Sequence, residues 1–221
     1  MSAAYEQRPY AVPPDATEVI LVRHGASAAV VAGEPFELLD GRGDPPLSDV
    51  GERQAEAVAE RLAREPLAAV FTSTLRRTHQ TAAPLVRRVG LEPVALADLC
   101  EVCLGDWEGG EFRVREREGD ALVAQVLAEE RWDVIANAEP APAFAERVRR
   151  GVDEIVSVVG SGALAAAFVH GAVIGELGRQ ATLSRPFAFI RNDNASITRL
   201  VVHGDGTLLL LRSFNDTAHL A

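Results

Sequence analysis

The chain has 221 residues, 48% of them hydrophobic and 24% charged, with a formal net charge of -10. That length and balance predict one α/β-sized globular domain with a full core. They exclude a phosphate-backbone binder, which needs a basic face, and no run approaches the apolar length of a membrane span. All 22 basic residues are arginine. Arginine abundance alone therefore carries no information, and only arginines placed at strand ends count toward anion binding.

In chain order, residues 1–16 hold prolines, both tyrosines and mixed charge without the pattern of a signal peptide, and read as a loose extension of a cytoplasmic protein. Val19–Val22 is a buried-strand run that ends in Arg23, His24 and Gly25. Ligands bind outside the carboxyl ends of strands in open α/β sheets, so Arg23 and His24 are expected where a substrate sits. Residues 26–40 read as loop, and the glycines and Pro45-Pro46 of 41–46 are expected to prevent regular structure. Ser48 is the expected N-cap of a helix whose apolar stripe runs Val50, Gln54, Val58 and Leu62, closed by Pro66. Leu67–Phe71 is a second strand. The helix behind it carries Leu75, Ala82, Leu85 and Val89, and Pro84 is expected to kink or divide it. Thr72, Ser73 and the arginines Arg76 and Arg77 stand at a strand end and helix start, a geometry that favours anions.

Residues 93–99 read as extended. Beyond them lie three acids, Glu101, Asp106 and Glu108, any of which has the chemistry of a general acid. Residues 111–131 read as a charged, solvent-facing helical cap. Phe144, Val148, Val152, Ile155 and Val159 recur at helical spacing. Ala163–Val169 is another apolar strand, and it too ends in a His-Gly pair, His170-Gly171, before a helix. Two such junctions far apart in sequence are most simply neighbours in one pocket. Residues 197–202 and 207–211 read as a late hairpin, with His203 in its four-residue turn. His79 and the tail residue His219 read as structural. Cys100 and Cys103 form one C-x-x-C without a second ligand pair, so no metal site is expected.

The two junctions, Arg23-His24-Gly25 and His170-Gly171, resemble those of the histidine phosphatase superfamily, which includes the cofactor-dependent phosphoglycerate mutases. Further strings agree. Asp44 to Ala55 is similar to the family's D-x-P-L-S/T-x-x-G-x-x-Q, and Ser73 to Ala82 resembles S-x-L-x-R-A-x-Q-T-A, which singles out Arg77 over Arg76. Leu99 to Gly109 resembles L-x-E-x-x-x-G-x-W-E-G, which picks Glu101, and Asn194 to Ile197 is similar to N-x-S-I/V. One departure stands out: the family reads R-H-G-x-S/T-x-x-N, and Ser27 keeps the hydroxyl while Val30 replaces the asparagine.

The resemblance implies a phosphoglycerate mutase-like α/β/α sandwich, with a mostly parallel sheet and a late antiparallel hairpin. Its domain would span 17–221, with a cap insertion around 108–137. It implies His24 as the nucleophile that becomes a phosphohistidine, Glu101 as general acid and base, and Arg23, Arg77 and protonated His170 as a charge clamp. Ser27, Glu101 and Gly171 join Arg23, Arg77 and His170 in the phosphate and substrate contacts. The expected protein is a metal-independent phosphomonoester hydrolase of small phosphorylated substrates, needing no cofactor and acting as monomer or homodimer. The alternatives are a phosphoglycerate mutase, for which alone 2,3-bisphosphoglycerate would be required, and a non-catalytic member of the fold. The 69 positions from Glu101 to His170 (170 − 101 = 69) are shorter than a mutase's insertion would make them, which favours the phosphatase.

Overall fold

The computed structural model describes residues 5–203 and 207–221, the side chains of 208 and 209 excepted. β1 (Ala16–Arg23) leads to a small ribbon, β2 (Leu38–Leu39) and β3 (Arg42–Gly43), then α1 (Asp49–Leu62), β4 (Ala69–Thr72), α2 (Arg76–Val89) and β5 (Pro93–Ala95). Two short helices, α3 (Glu111–Glu118) and α4 (Ala121–Glu129), precede the long α5 (Ala141–Val159). The chain closes with β6 (Leu164–Val169), α6 (Gly171–Thr182), β7 (Ile197–His203) and β8 (Leu208–Asp216).

Six strands form one sheet in the order β5-β4-β6-β1-β7-β8. The pairs β4/β5, β4/β6 and β1/β6 are parallel, while β1/β7 and β7/β8 are antiparallel. Strand side chains alternate between faces, and both faces of β1 are buried. Val19 and Leu21 face a core built with Val148, Val152 and Ile155 of α5 and Ile174 and Leu177 of α6. Ile20 and Val22 face Val58 and Leu62 of α1 and Leu85 of α2. Each fully buried aliphatic side chain contributes roughly 1.5–3 kcal/mol, so this double burial fixes the register of β1. The result is the expected three-layer sandwich with its late antiparallel hairpin.

Several local expectations are corrected. The glycines of 41–46 make structure: Asp40 and Gly41, at φ 48° and 75°, form the two-residue turn between β2 and β3. α1 is capped by Ser48, whose Oγ accepts the Gly51 amide, but its buried stripe is Gly51, Ala55, Val58, Ala59 and Leu62. Val50 is 48% exposed, because the helix presses on the loop after β1 through Gly51 instead. A Cβ on Gly51 would come within 2.1 Å of the Ala26 carbonyl oxygen, and one on Gly25 within 2.6 Å of the Gly51 oxygen.

α2 runs unbroken through Pro84, whose ring is buried on the helix's packed side. Residues 97–99 form a 3-10 turn, not extended chain. The region 111–131 is not solvent-facing throughout. Val123 and Val126 are buried with Trp107 and Ile135 in a small core of their own, edged by Phe112, Trp132 and Phe187. β8 extends to Asp216, beyond the expected end at 211; of the expected turn, residues 204–206 lie outside the described residues, and His203 closes β7. No helix among the described residues is long and apolar enough to cross a membrane.

Candidate active site

The parallel pairing of β1 with β6 aligns Arg23 with Val169, so the next residues, His24 and His170, leave the sheet side by side. Their rings meet edge to face with centroids 5.2 Å apart. The His24 amide donates to the Val169 carbonyl at 2.9 Å, extending the ladder one residue past β1.

The His24 ring is oriented by its neighbour's backbone: Nδ1 lies 2.8 Å from the Gly25 carbonyl oxygen. A carbonyl only accepts, so Nδ1 carries the proton and Nε2 keeps its lone pair. Burial pushes the imidazole well below its ordinary pKa, with Arg77 and Arg23 adding to the effect. His24 is thus a neutral base with a free nitrogen.

His170 is fully buried against the His24 ring and off the pocket wall. Its Nε2 is 2.8 Å from Ser73 Oγ, and its buried Nδ1 has no partner among the described residues. The expected charge on His170 is not favoured by its surroundings. Burial, followed by Arg77 and His24, holds it well below the ordinary imidazole value.

A cavity of about 500 Å3 opens beside His24. Arg23, Ser27, Arg77, Glu101 and Gly171 all reach its wall. Arg77 donates to the Gly43 carbonyl at 2.9 Å, and Arg23 donates through Nη1 to the Asn192 carbonyl while its buried Nε has no partner among the described residues. Burial depresses the pKa of both guanidiniums, and Glu101 counters it most strongly. Arg76 turns away and pairs with Asp44.

Among the three acids, geometry separates what chemistry alone left open. Asp106 accepts from the Asn137 side chain at 2.8 Å and does not line the cavity. Glu108 lines it, but its two oxygens accept the amides of Gly43 at 2.7 Å and Leu104 at 2.8 Å, which makes it a brace. Glu101 also accepts two amides, that of Val102 at 3.1 Å and that of Ala172 in the first turn of α6 at 3.3 Å, but both bonds are longer than those that hold Glu108. Burial raises its pKa above the ordinary carboxyl range, against the pull of the Ala172 amide and Arg77. A raised carboxyl beside a neutral imidazole and two guanidiniums is equipped to exchange a proton with a leaving oxygen.

Sequence reasoning passed over the residues that hold the loop after β1. Gln54 accepts the Ala26 amide at 2.8 Å, Thr81 the Gly25 amide at 3.0 Å, and Gln80 the Leu47 amide at 2.8 Å. All three stand in the quoted strings, and a polar residue recurring in a helix that faces a loop was the available signal. Arg113, Arg42 and Arg191 also reach the cavity and were missed. His79 contacts Thr72 outside it, and His219 contacts the Ala195 carbonyl. Cys100 and Cys103 are free thiols, and no group of three or more metal-ligating side chains occurs among the described residues.

Fold and site together define an α/β protein with two histidines at adjacent strand ends beside a cavity lined by guanidiniums and a buried carboxyl. The sequence profile of the histidine phosphatase superfamily (branch 1) matches residues 19–217, and the chain belongs to that family. A bifunctional protein of Mycobacterium tuberculosis is 34% identical over 141 residues, 63% of this chain; the match spans only 37% of that relative's length. A probable phosphoglycerate mutase of Yersinia enterocolitica is 29% identical over 92% of this chain and 94% of its own. A metal-independent phosphoserine phosphatase of Arabidopsis thaliana is 27% identical over 94% of this chain and 84% of its own. Among solved structures, mycobacterial glucosyl-3-phosphoglycerate phosphatase superposes with a TM-score of 0.74 at 26% identity, covering 91% of this chain and all of that one (100%).

Proposed function

We propose that the protein is a phosphomonoester hydrolase that works through a phosphohistidine at His24. One observation carries this reading: the Gly25 carbonyl commits the proton to Nδ1, leaving Nε2 unprotonated at the cavity wall beside Arg23, Arg77 and a carboxyl held toward its acid form.

In the first half-reaction Nε2 attacks phosphorus, the N–P bond forms and the ester P–O bond breaks. Glu101 gives its proton to the departing alkoxide. Arg23 and Arg77 hold the nonbridging oxygens, each guanidinium offering a planar fork. His170, beside His24, takes up charge as the dianion enters and offsets the burial that keeps it neutral. In the second half-reaction water attacks phosphorus, Glu101 takes the water's proton, and the N–P bond breaks to release phosphate and neutral His24.

The substrate is a small phosphorylated molecule whose organic part lies against Phe36, Leu104, Trp107, Phe112, Trp132 and Ile190. The region 108–137, which supplies Phe112 and Trp132, is the cap that selects it. The arginines bring the positive charge that a metal would otherwise supply, so no cofactor enters this scheme.

The test is phosphate release from a panel of phosphomonoesters, with and without EDTA, alongside acid-labile phosphate trapped on quenched enzyme. Turnover unaffected by EDTA, with label on His24, is expected. Conversion of 3-phosphoglycerate to 2-phosphoglycerate outpacing phosphate release would replace the hydrolase with a mutase. Absence of turnover on every ester would leave a binding protein.

A further inference from the structure

The loop after β1 breaks the family pattern at Val30, and the structure shows what occupies that corner. Val30 does not reach the cavity. Its side chain packs on Gly110, where an added Cβ would come within 2.7 Å of Val30 Cγ2, and it lines a separate depression with Gly33, Pro35 and Gly109.

A cation arrives from the opposite side. Arg113, in the first turn of α3, donates from Nη2 to Ser27 Oγ at 2.7 Å and from Nη1 to the Ala28 carbonyl at 3.1 Å, and its guanidinium lies 5.9 Å from the Phe36 ring centroid. These bonds use two of the five guanidinium N–H donors and leave three for a ligand. No carboxylate among the described residues pairs with Arg113, although most arginines of the chain have one, including its neighbour Arg115. It lines the same cavity as Arg23, His24 and Arg77. Its charge is felt by His24 and Arg77, and burial together with Arg23 disfavours the charge it carries.

Of the five guanidiniums that line the cavity, Arg23, Arg77 and Arg113 are the three whose charge acts on His24; they repel each other, and a surface arginine with freedom to move would swing out to water. Ser27 and Ala28 hold this one in. A dianion among the three would relieve the repulsion, and its oxygens would take the unspent donors.

We propose that Arg113 is a phosphoryl ligand that fills the role of the missing asparagine, so that α3 completes the phosphate site. The proposal rests on the reading of the cavity as a phosphomonoester site. It gives the cap two roles, because the element that contacts the organic part of the substrate also grips its phosphoryl group. It further defines the substrate class by charge. Three arginines suit a dianionic phosphomonoester better than a monoanionic phosphodiester or sulfate ester.

The experiment is calorimetric titration of the full chain with inorganic phosphate, for the wild type and for Arg113→Ala, Arg113→Lys and Arg77→Ala, with circular dichroism confirming that each is folded. Arg113→Ala is expected to weaken phosphate binding by about 10- to 100-fold, the loss typical of a charge-assisted bidentate contact. Arg113→Lys keeps the charge but not the fork and falls between. KM for a phosphomonoester should rise with the Kd while kcat changes less. Added guanidinium ion should restore part of the affinity of Arg113→Ala, which a residue that merely braces the loop would not allow. Binding by Arg113→Ala within about twofold of wild type, with Arg77→Ala impaired, overturns the assignment and leaves the phosphatase reading standing. Weakened and rescued binding in a protein that hydrolyses no ester would do the reverse. A wild-type protein that binds no phosphate overturns both.

Discussion

His24 and His170 are written in the chain in the same way, each closing a buried parallel strand and each followed by a glycine, yet the fold puts them in different states. His24 is fixed through Nδ1 by a backbone carbonyl one residue away, and the residue lines the cavity. His170 is fixed through Nε2 by Ser73, 97 positions away in the chain, and its other nitrogen is sealed in the interior. The difference teaches that the strand-end position supplies a histidine and the hydrogen-bond partner decides its role. A local carbonyl leaves one ring nitrogen unprotonated by committing the proton to the other. A distant hydroxyl, which both donates and accepts, leaves a ring free to change protonation as charge enters beside it.

The sharpest break of this comparison is His24→Ala. Turnover should fall by about 10^4-fold or more, as when a covalent nucleophile is removed, with no phosphate trapped on quenched protein and an unchanged circular dichroism spectrum. Turnover near wild type would assign the nucleophile elsewhere.

Glu101→Gln comes next. Loss of about 10^2- to 10^4-fold is expected for alkyl phosphates and much less for nitrophenyl phosphate in the phosphorylation step, because a good leaving group departs without the proton. The wild-type rate on alkyl phosphates should decline as pH rises through the raised carboxyl pKa, and the variant should lose that limb. Equal loss on both substrate types would take the acid role from Glu101.

His170→Ala should cost about 10- to 100-fold in kcat, through loss of a nearby positive charge and of the ring packed on His24 rather than of a donor to the substrate. A loss as large as that of His24→Ala would make the two histidines equivalent.

The smallest change, Ser73→Ala, should reduce kcat by less than about tenfold and stability by about 1 kcal/mol, since it frees the His170 ring and strands the Leu75 amide that also donates to Ser73 Oγ. Both histidines are depressed in the folded state, so the unfolded chain binds more protons just below the ordinary imidazole pKa. Stability is therefore full above that value and falls as pH drops through it toward the folded-state pKa values. Melting temperatures measured across that window in wild type and His170→Ala should converge at the acid end, and parallel curves would assign the acid sensitivity to other groups.

Much of the architecture was legible because it rests on local rules. Burial of both faces of β1 was written in its unbroken apolar run, the start of α1 in Ser48, and the two junctions in their His-Gly pairs. The errors were also local rules, overridden by packing. Val50 belonged to a plausible stripe, but the close approach of Gly51 to the Ala26 loop rotated that stripe away. Pro84 did not divide α2, and it is buried within the helix.

What the sequence determined by itself was therefore chemistry by position: which side chains stand at strand ends, and that arginine, histidine and carboxyl groups are available there, because strand and cap signals act over a few residues. Only the tertiary structure decided which of them converge and in what state. The pairing of β1 with β6 placed two remote histidines 5.2 Å apart, and burial made both neutral. The same enclosure raised the Glu101 carboxyl, while hydrogen bonds spent Glu108 on backbone amides. A cap helix brought Arg113 to Ser27 across 86 positions of chain. Proton occupancy depends on desolvation and on charges from other segments, and no window of neighbouring residues contains either quantity.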